Sequence, residues 1–387
     1  MTDHRSRKQL IRERMSHTGE SYTTAHRHVT ARRRTAPIPP AGLIEGYPAF
    51  GAEQHAPSAL SRHLLGQAGL EISEPMACGL GGGIGFLYAI FEYRAMNYPL
   101  LTIVAQHHPQ PWFDAVTAHL GISTETATSS TTRTALAKLD AAVDAGRPAL
   151  IVVARGSLPW HSGVSEMEAA DAYPVVVAGR SGGEYLVDDR ADEPRRITRD
   201  ELSVAWAAHR KGRFALTTVG RPMTAVELPA AIRAALRTTT AHLTGPVLGN
   251  YFDANMGLAG MAKLVAGLRD TSTKNGWSRR FSGPKAFEAA MTRLAECLTW
   301  QYTAPGATRP LYAEFLNEAA TTADLPLTDA AHSCDQAGEI WTRIADLAGQ
   351  AGPETDPATI FGHIADLAAA ACEQETLMVQ QIGAALG

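Results

Sequence analysis

The chain has 387 residues, of which 45% are hydrophobic and 19% charged, with a formal net charge of −4. That length exceeds one ordinary core and points to two domains of globular rather than disordered composition, and the small negative charge gives no global reason to expect nucleic acid as a partner. No run of about 18 apolar residues offers a membrane span, and four scattered cysteines without a C-x-x-C pair exclude the usual zinc frameworks and a disulfide scaffold.

The first residues, MTDHRSRKQL, are polar and basic with no apolar stretch behind them, which argues against a secretory signal and for a cytoplasmic location. Residues 1–43 read as a basic helical arm and a Pro-rich linker. Nine Lys/Arg stand against three acids up to Arg34. Leu10, Ile11 and Met15 have helical spacing, and TAPIPPAG follows as the linker. The arm is either a solvated helical hairpin or a surface for an acidic partner; it is the one segment through which nucleic acid enters the reading.

Residues 44–222 carry a mixed pattern. SALSRHLLGQAGL predicts a helix with Leu60, Leu64 and Leu65 on one face and Gly69 at its end. Cys78 begins CGLGGGIGF, a glycine-rich turn read as lying before a helix. Such a turn can cradle a phosphate, but there is no Walker lysine and no strand directly before it. The glycines Gly81, Gly82 and Gly83 then serve to let the loop pass close to another backbone or to a ligand cleft. A Cys78 thiol at a helix start would have a lowered pKa, as a nucleophile requires, whereas a buried Cys78 would be a small hydrophobe.

LLTIVAQ, DAGRPALIVVAR, YPVVVAGR and GEYLVDDR predict short strands, the last two forming a hairpin through Arg180-Ser181-Gly182-Gly183. WFDAVTAHLGI and TALAKLDAAVDAG predict helices. Helices against a mostly antiparallel sheet make an α+β domain. Histidines gather here (His55, His63, His107, His108, His119, His161), without the spacing of a metal site. Asp188-Asp189 at a strand end offers an acid that could orient a base, or that pairs with Arg190.

Residues 223–387 lose all strand signals. Six segments, from AAIRAALRTTTAHL to ATIFGHIADLAAAACEQETLMVQQIGAAL, carry the 3.6-residue apolar period of a helical bundle. Their apolar faces make a homodimer conceivable. In TRPLYAEFLNEAA, Leu311, Phe315 and Leu316 read as core. Arg309 could reach an acidic ligand or pair with a carboxylate, and Tyr312 stands beside it.

HAPSAL…LLGQAGL, EISEPMACGLGGGIGFLY, SLPWH and YPVVVAGRSGGEYLVDDR, in that order, resemble the N-terminal domain of the butirosin biosynthesis protein H-like family. The all-α tail resembles the helical domain that follows it. The resemblance implies an α+β papain-like (C39-peptidase-like) domain followed by an all-α helical domain. It also implies acyl transfer from the thioester of an acyl carrier protein, or another acylated or peptidyl donor, to a small-molecule amine in antibiotic biosynthesis.

The family places a nucleophilic cysteine directly after a histidine at the first helix start, a histidine leading the G-H-x-V-V-V strand, and an acid after the next strand. Here His55 matches, the cysteine position is Ala56, the strand histidine is Tyr173, and Asp189 matches the acid. An alanine cannot attack, and a tyrosine is a poor base at neutral pH. Two readings follow. Either His55, His161, Tyr173, Asp189 or a relocated Cys78 supports transfer without the usual nucleophile, or the chain is an inactive member that binds and escorts. Ala56, Glu74, Gly81, Gly82, Gly83, Arg309 and Tyr312 are the candidate substrate contacts. No cofactor or metal is expected.

Overall fold

The computed structural model describes residues 40–47, 53–94, 96–161, 171–191, 193–222 and 225–387; the basic arm lies outside them. Two compact units divide the described chain. One holds residues up to Glu74 and Leu120–Val226, the other Pro75–His119 and Glu227–Gly387. Residues 75–119, which the sequence pattern groups with the α+β domain, therefore belong with the helical tail.

The first unit begins, after a short lead, with helix α1, Ala56–Gln67. It has Pro57 in its first turn, where a missing N–H costs nothing, and the chain turns at Gly69 with φ +93°. Leu60, Leu64 and Leu65 are buried as their spacing predicts. Helix α2, Glu74–Leu80, follows and runs into the second unit.

The sheet of the first unit is built from β3 (Thr124–Ala127), β4 (Ala149–Ala154), β5 (Ala172–Ser181), β6 (Glu184–Asp188), β7 (Arg195–Thr198) and β8 (Leu216–Val219). Their order is β3-β8-β4-β5-β6-β7, every neighbour antiparallel. The expected β5–β6 hairpin is present, with Ser181 opposite Glu184 across Gly182-Gly183.

One face of this sheet meets two helices, Thr132–Asp144 and Arg199–Ala208, each started by a threonine cap (Thr131 and Thr198). Val153, Val175, Val177, Val187, Leu139 and Trp206 close that core. On β5 the alternate residues Val176 and Ala178 are equally buried, and α1 packs against this strand. Residues 42–44 also run beside it: Ile44 N donates to Ala178 O, and a side chain at Gly179 would strike Gly42 O at 2.2 Å. A strand covered on both sides needs a continuous apolar run, and VVVA supplies it.

The second unit opens with an antiparallel strand pair, β1 (Ile84–Phe91) and β2 (Leu100–Gln106), and the helix Trp112–Leu120 at its border. The six tail helices expected from periodicity all form: Leu228–Thr244, Gly257–Arg269, Pro284–Thr299, Arg309–Thr322, Thr328–Gln350 and Pro357–Leu386, with a short Trp277–Arg280 between the second and third. The helix 257–269 packs on β1 and the helix 284–299 on β2. No helix among the described residues is long and apolar enough to cross a membrane.

Candidate active site

Three strand ends bring the polar cluster together. Antiparallel pairing puts the end of β4 (Ala154 opposite Ala172), the start of β5 and the end of β6 at one end of the sheet. Tyr173 enters β5 there, Asp189 leaves β6 there, and Trp160 and His161 follow the turn after β4. The exit from β6 is fixed by its own acid: Asp188 Oδ1 accepts from Arg190 N at 3.0 Å, which holds Arg190 in the left-handed region, φ 58°.

Asp189 is the hub of the cluster. Its Oδ1 accepts from Tyr173 Oη at 2.5 Å, and its Oδ2 accepts from Trp160 Nε1 and lies 3.2 Å from His161 Nε2. Burial would raise the carboxyl pKa, but the hydrogen bonds from His161, Tyr173 and Trp160 together with the Arg190 charge hold it below the ordinary value. With an ionised acid on Nε2, the neutral imidazole of His161 carries its proton there and leaves the Nδ1 lone pair as its basic site. The His161 side chain is 19% exposed.

Tyr173 is clamped as well. Arg190 Nη2 donates to its Oη at 2.5 Å, and both Arg155 and Arg190 place their guanidinium carbons 5.6 Å from the ring centre. Burial pushes the phenol pKa up to about 12, with Arg190 opposing and Asp189 adding. Tyr173 is therefore a hydrogen-bond donor at neutral pH, not a base.

A second network lies behind Asp188. His63 is fully buried, with Nδ1 2.6 Å from Asp188 Oδ2 and Nε2 3.0 Å from Glu53 Oε1. Tyr47 Oη also donates to Asp188 Oδ2, at 2.8 Å. Burial alone would lower the His63 pKa; hydrogen bonds to the two acids and their charges raise it to about 9. His63 is thus a buried imidazolium that steadies the strand end from which Asp189 projects. No partner for His63 is legible from local spacing, because its acids lie 125 and 10 residues away in the chain.

At the start of α1, His55 is buried and its Nδ1 lies 2.7 Å from Ser58 Oγ. Glu74 Oε1 accepts from both Gln54 N and His55 N at 2.7 Å, so this acid pins the backbone leading into the helix. Ala56 is the first helical residue, the position to which the resemblance assigns a cysteine.

The other candidates are structural. Cys78 stands in the second half of α2, not at a helix start, and is fully buried, where substrate does not reach a thiol. The glycine turn leads into the strand β1, not a helix, and its hollows are filled by the chain's own rings. A side chain at Gly81 would meet Trp112 at 2.1 Å, one at Gly82 would meet His107 at 2.4 Å, and one at Gly83 would meet Tyr312 at 2.1 Å. No room for a substrate remains against them.

Tyr312 and Arg309 are fully buried. Arg309 makes a two-pronged pair with Glu375 (Nε to Oε1 2.8 Å, Nη2 to Oε2 2.7 Å). Its remaining N–H groups donate to the carbonyls of Ala105, Ala307 and Gly85. Trp341 Nε1 completes the carboxylate at 2.7 Å. Of the two roles open to Arg309, the paired one is realised: a charge buried this deeply is retained only when every donor is met. Among the described residues no group of His, Cys, Asp and Glu could hold a metal ion.

The class is an α+β domain with an acid and a donor paired across adjacent strand ends, joined to a helical unit. Residues 55–190 match the family described as butirosin biosynthesis protein H, N-terminal. Residues 202–382 match the domain of unknown function DUF4872. No curated protein matches the chain. Among solved structures, a C39-like peptidase from Bacillus anthracis aligns over 46% of this chain and 98% of its own, at 14% identity and a TM-score of 0.32.

Proposed function

We propose that this chain is an acyl- or aminoacyl-transferase of natural-product biosynthesis that joins a carrier-bound acyl group to an amine without an enzyme thiol. The observation that carries the reading is the set of donors on Asp189. His161 takes up on this acid the relation that the family's strand histidine would hold, with Nδ1 as the base. A thioester is already activated, so an amine held beside it needs orientation, removal of a proton and a donor for the developing oxyanion. His161 would accept the ammonium proton, and the thiolate of the carrier would leave with the C–S electron pair as the C–N bond forms.

The test is intact-protein mass spectrometry and product analysis after incubation with acylated carrier proteins and candidate amines. Amide formation without a protein adduct is the expected result, with His161→Ala lowering kcat by about 10²–10⁴-fold. An adduct on Cys78, or undiminished turnover in the His161 variant, would overturn the proposal.

A second reading rests on Ala56 and on the Arg190 clamp, which fixes Tyr173 as a donor. A member so altered can bind an acylated partner and escort it. Binding of the carrier with no turnover under any amine supports this alternative.

A further inference from the structure

The helical unit contains a hollow of about 570 Å³, inside the range of small-molecule sites, which is unrelated to the Asp189 cluster in composition. It is lined from three sides by β1, by the short turn Tyr251–Asn255 and by the helix Gly257–Arg269, with Asn275 and Arg280 closing it. Its charges are arranged unequally. Lys263 Nζ is held by the amide oxygen of Asn255 at 2.8 Å, and among the described residues no carboxylate pairs with it. Arg280 touches Asn275 Oδ1 at 3.4 Å and the well-exposed Glu92 only at 3.7 Å.

The one acid of the lining, Asp270, keeps its negative charge, but its oxygens are engaged in a local turn. Its oxygens accept from Ser272 N, Ser272 Oγ, Thr273 N and Thr273 Oγ1, which close the turn after the helix. Tyr88 accepts from Trp277 Nε1 at 2.8 Å, which leaves its own proton for a further acceptor. Two cations, Lys263 and Arg280, thus line the space against one carboxylate, with Tyr88 beside them. At the rim, Tyr251 is 92% exposed and Phe91 36%. Such rings offer a face on which a flat apolar group can lie.

We propose that this hollow binds a small organic oxyanion, a phosphate or carboxylate joined to a flat apolar body, with the anion between Lys263 and Arg280 and the body on Tyr251. Lys263 acts as a point charge and Arg280 as a fork, the usual division of labour on compact oxyanions. The site stands independently of the transferase reading.

The experiment is isothermal titration of the full chain with phenyl phosphate, benzoate, inorganic phosphate and benzylamine. Phenyl phosphate or benzoate, or both, should bind with one site per chain, and which of them binds identifies the anion. Lys263→Met and Arg280→Met should each weaken binding about tenfold, and high salt should weaken it further. Tyr251→Ala should weaken phenyl phosphate but leave inorganic phosphate unchanged. Lys263 and Tyr251 are exposed side chains, so these variants keep the fold, which circular dichroism verifies. Failure of both aromatic anions to bind, equal binding of benzylamine, or affinity indifferent to both Lys263→Met and Arg280→Met would overturn the proposal.

Discussion

At the scale of single residues, Asp188 and Asp189 are chain neighbours with opposite assignments. One anchors His63 and Tyr47 in the interior; the other gathers Trp160, His161 and Tyr173. The His63 pKa of about 9 in the folded chain exceeds the ordinary 6.5. The stabilisation is therefore fully present below about pH 6.5 and is lost as pH rises through about 9. Denaturant unfolding between pH 6 and 9.5 should show this fall, and His63→Asn should flatten it. Tyr173→Phe removes one donor from a buried carboxylate and should cost about 1–3 kcal/mol by the same measurement. The resemblance assigns a cysteine to the position of Ala56 and a histidine to that of Tyr173; on that assignment the double variant Ala56→Cys/Tyr173→His should acquire a covalent acyl adduct with a thioester donor, visible by mass spectrometry and absent from the parent chain.

At the scale of elements, periodicity carried most of the fold. VVVA in β5 and the short run EYLV in β6 were readable as β-branched and aromatic runs bounded by Gly or Asp, and the tail helices because their apolar faces repeat every 3.6 residues. EPMACGL forms a helix, although its proline and glycine argue for a loop: Pro75 falls in the first turn, where it is tolerated, and every residue after Glu74 is buried. Arg309 could be placed on a helix but not given a partner, since Glu375 lies 66 residues on. Tyr173 was legible as a site position from the resemblance alone, and Asp189, with Arg190 beside it, already from its place at a strand end; the Trp160 contact and the Arg190 clamp on Tyr173 were not, because aromatic donors and arginines carry no spacing rule. Glu375→Gln leaves the Arg309 charge without its counter-ion and should destabilise the chain by about 3–5 kcal/mol, measured as a drop in denaturation midpoint.

At the scale of the whole molecule, the helical unit is discontinuous in sequence. Arg309 donates to the carbonyls of Gly85 and Ala105, and Trp277 donates to Tyr88, so the tail is completed by residues 75–119. A fragment spanning 227–387 should keep far-ultraviolet helicity but lose the near-ultraviolet signal of its packed tryptophans. The same interruption shapes synthesis on the ribosome. The β1–β2 pair emerges early, then waits while roughly a hundred residues of the other unit are made before its covering helices exist. At roughly 5–20 residues per second that interval is on the order of ten seconds. During it two apolar strands stand uncovered, and a newborn chain held by a chaperone over this window would reach the folded state more often than one left alone.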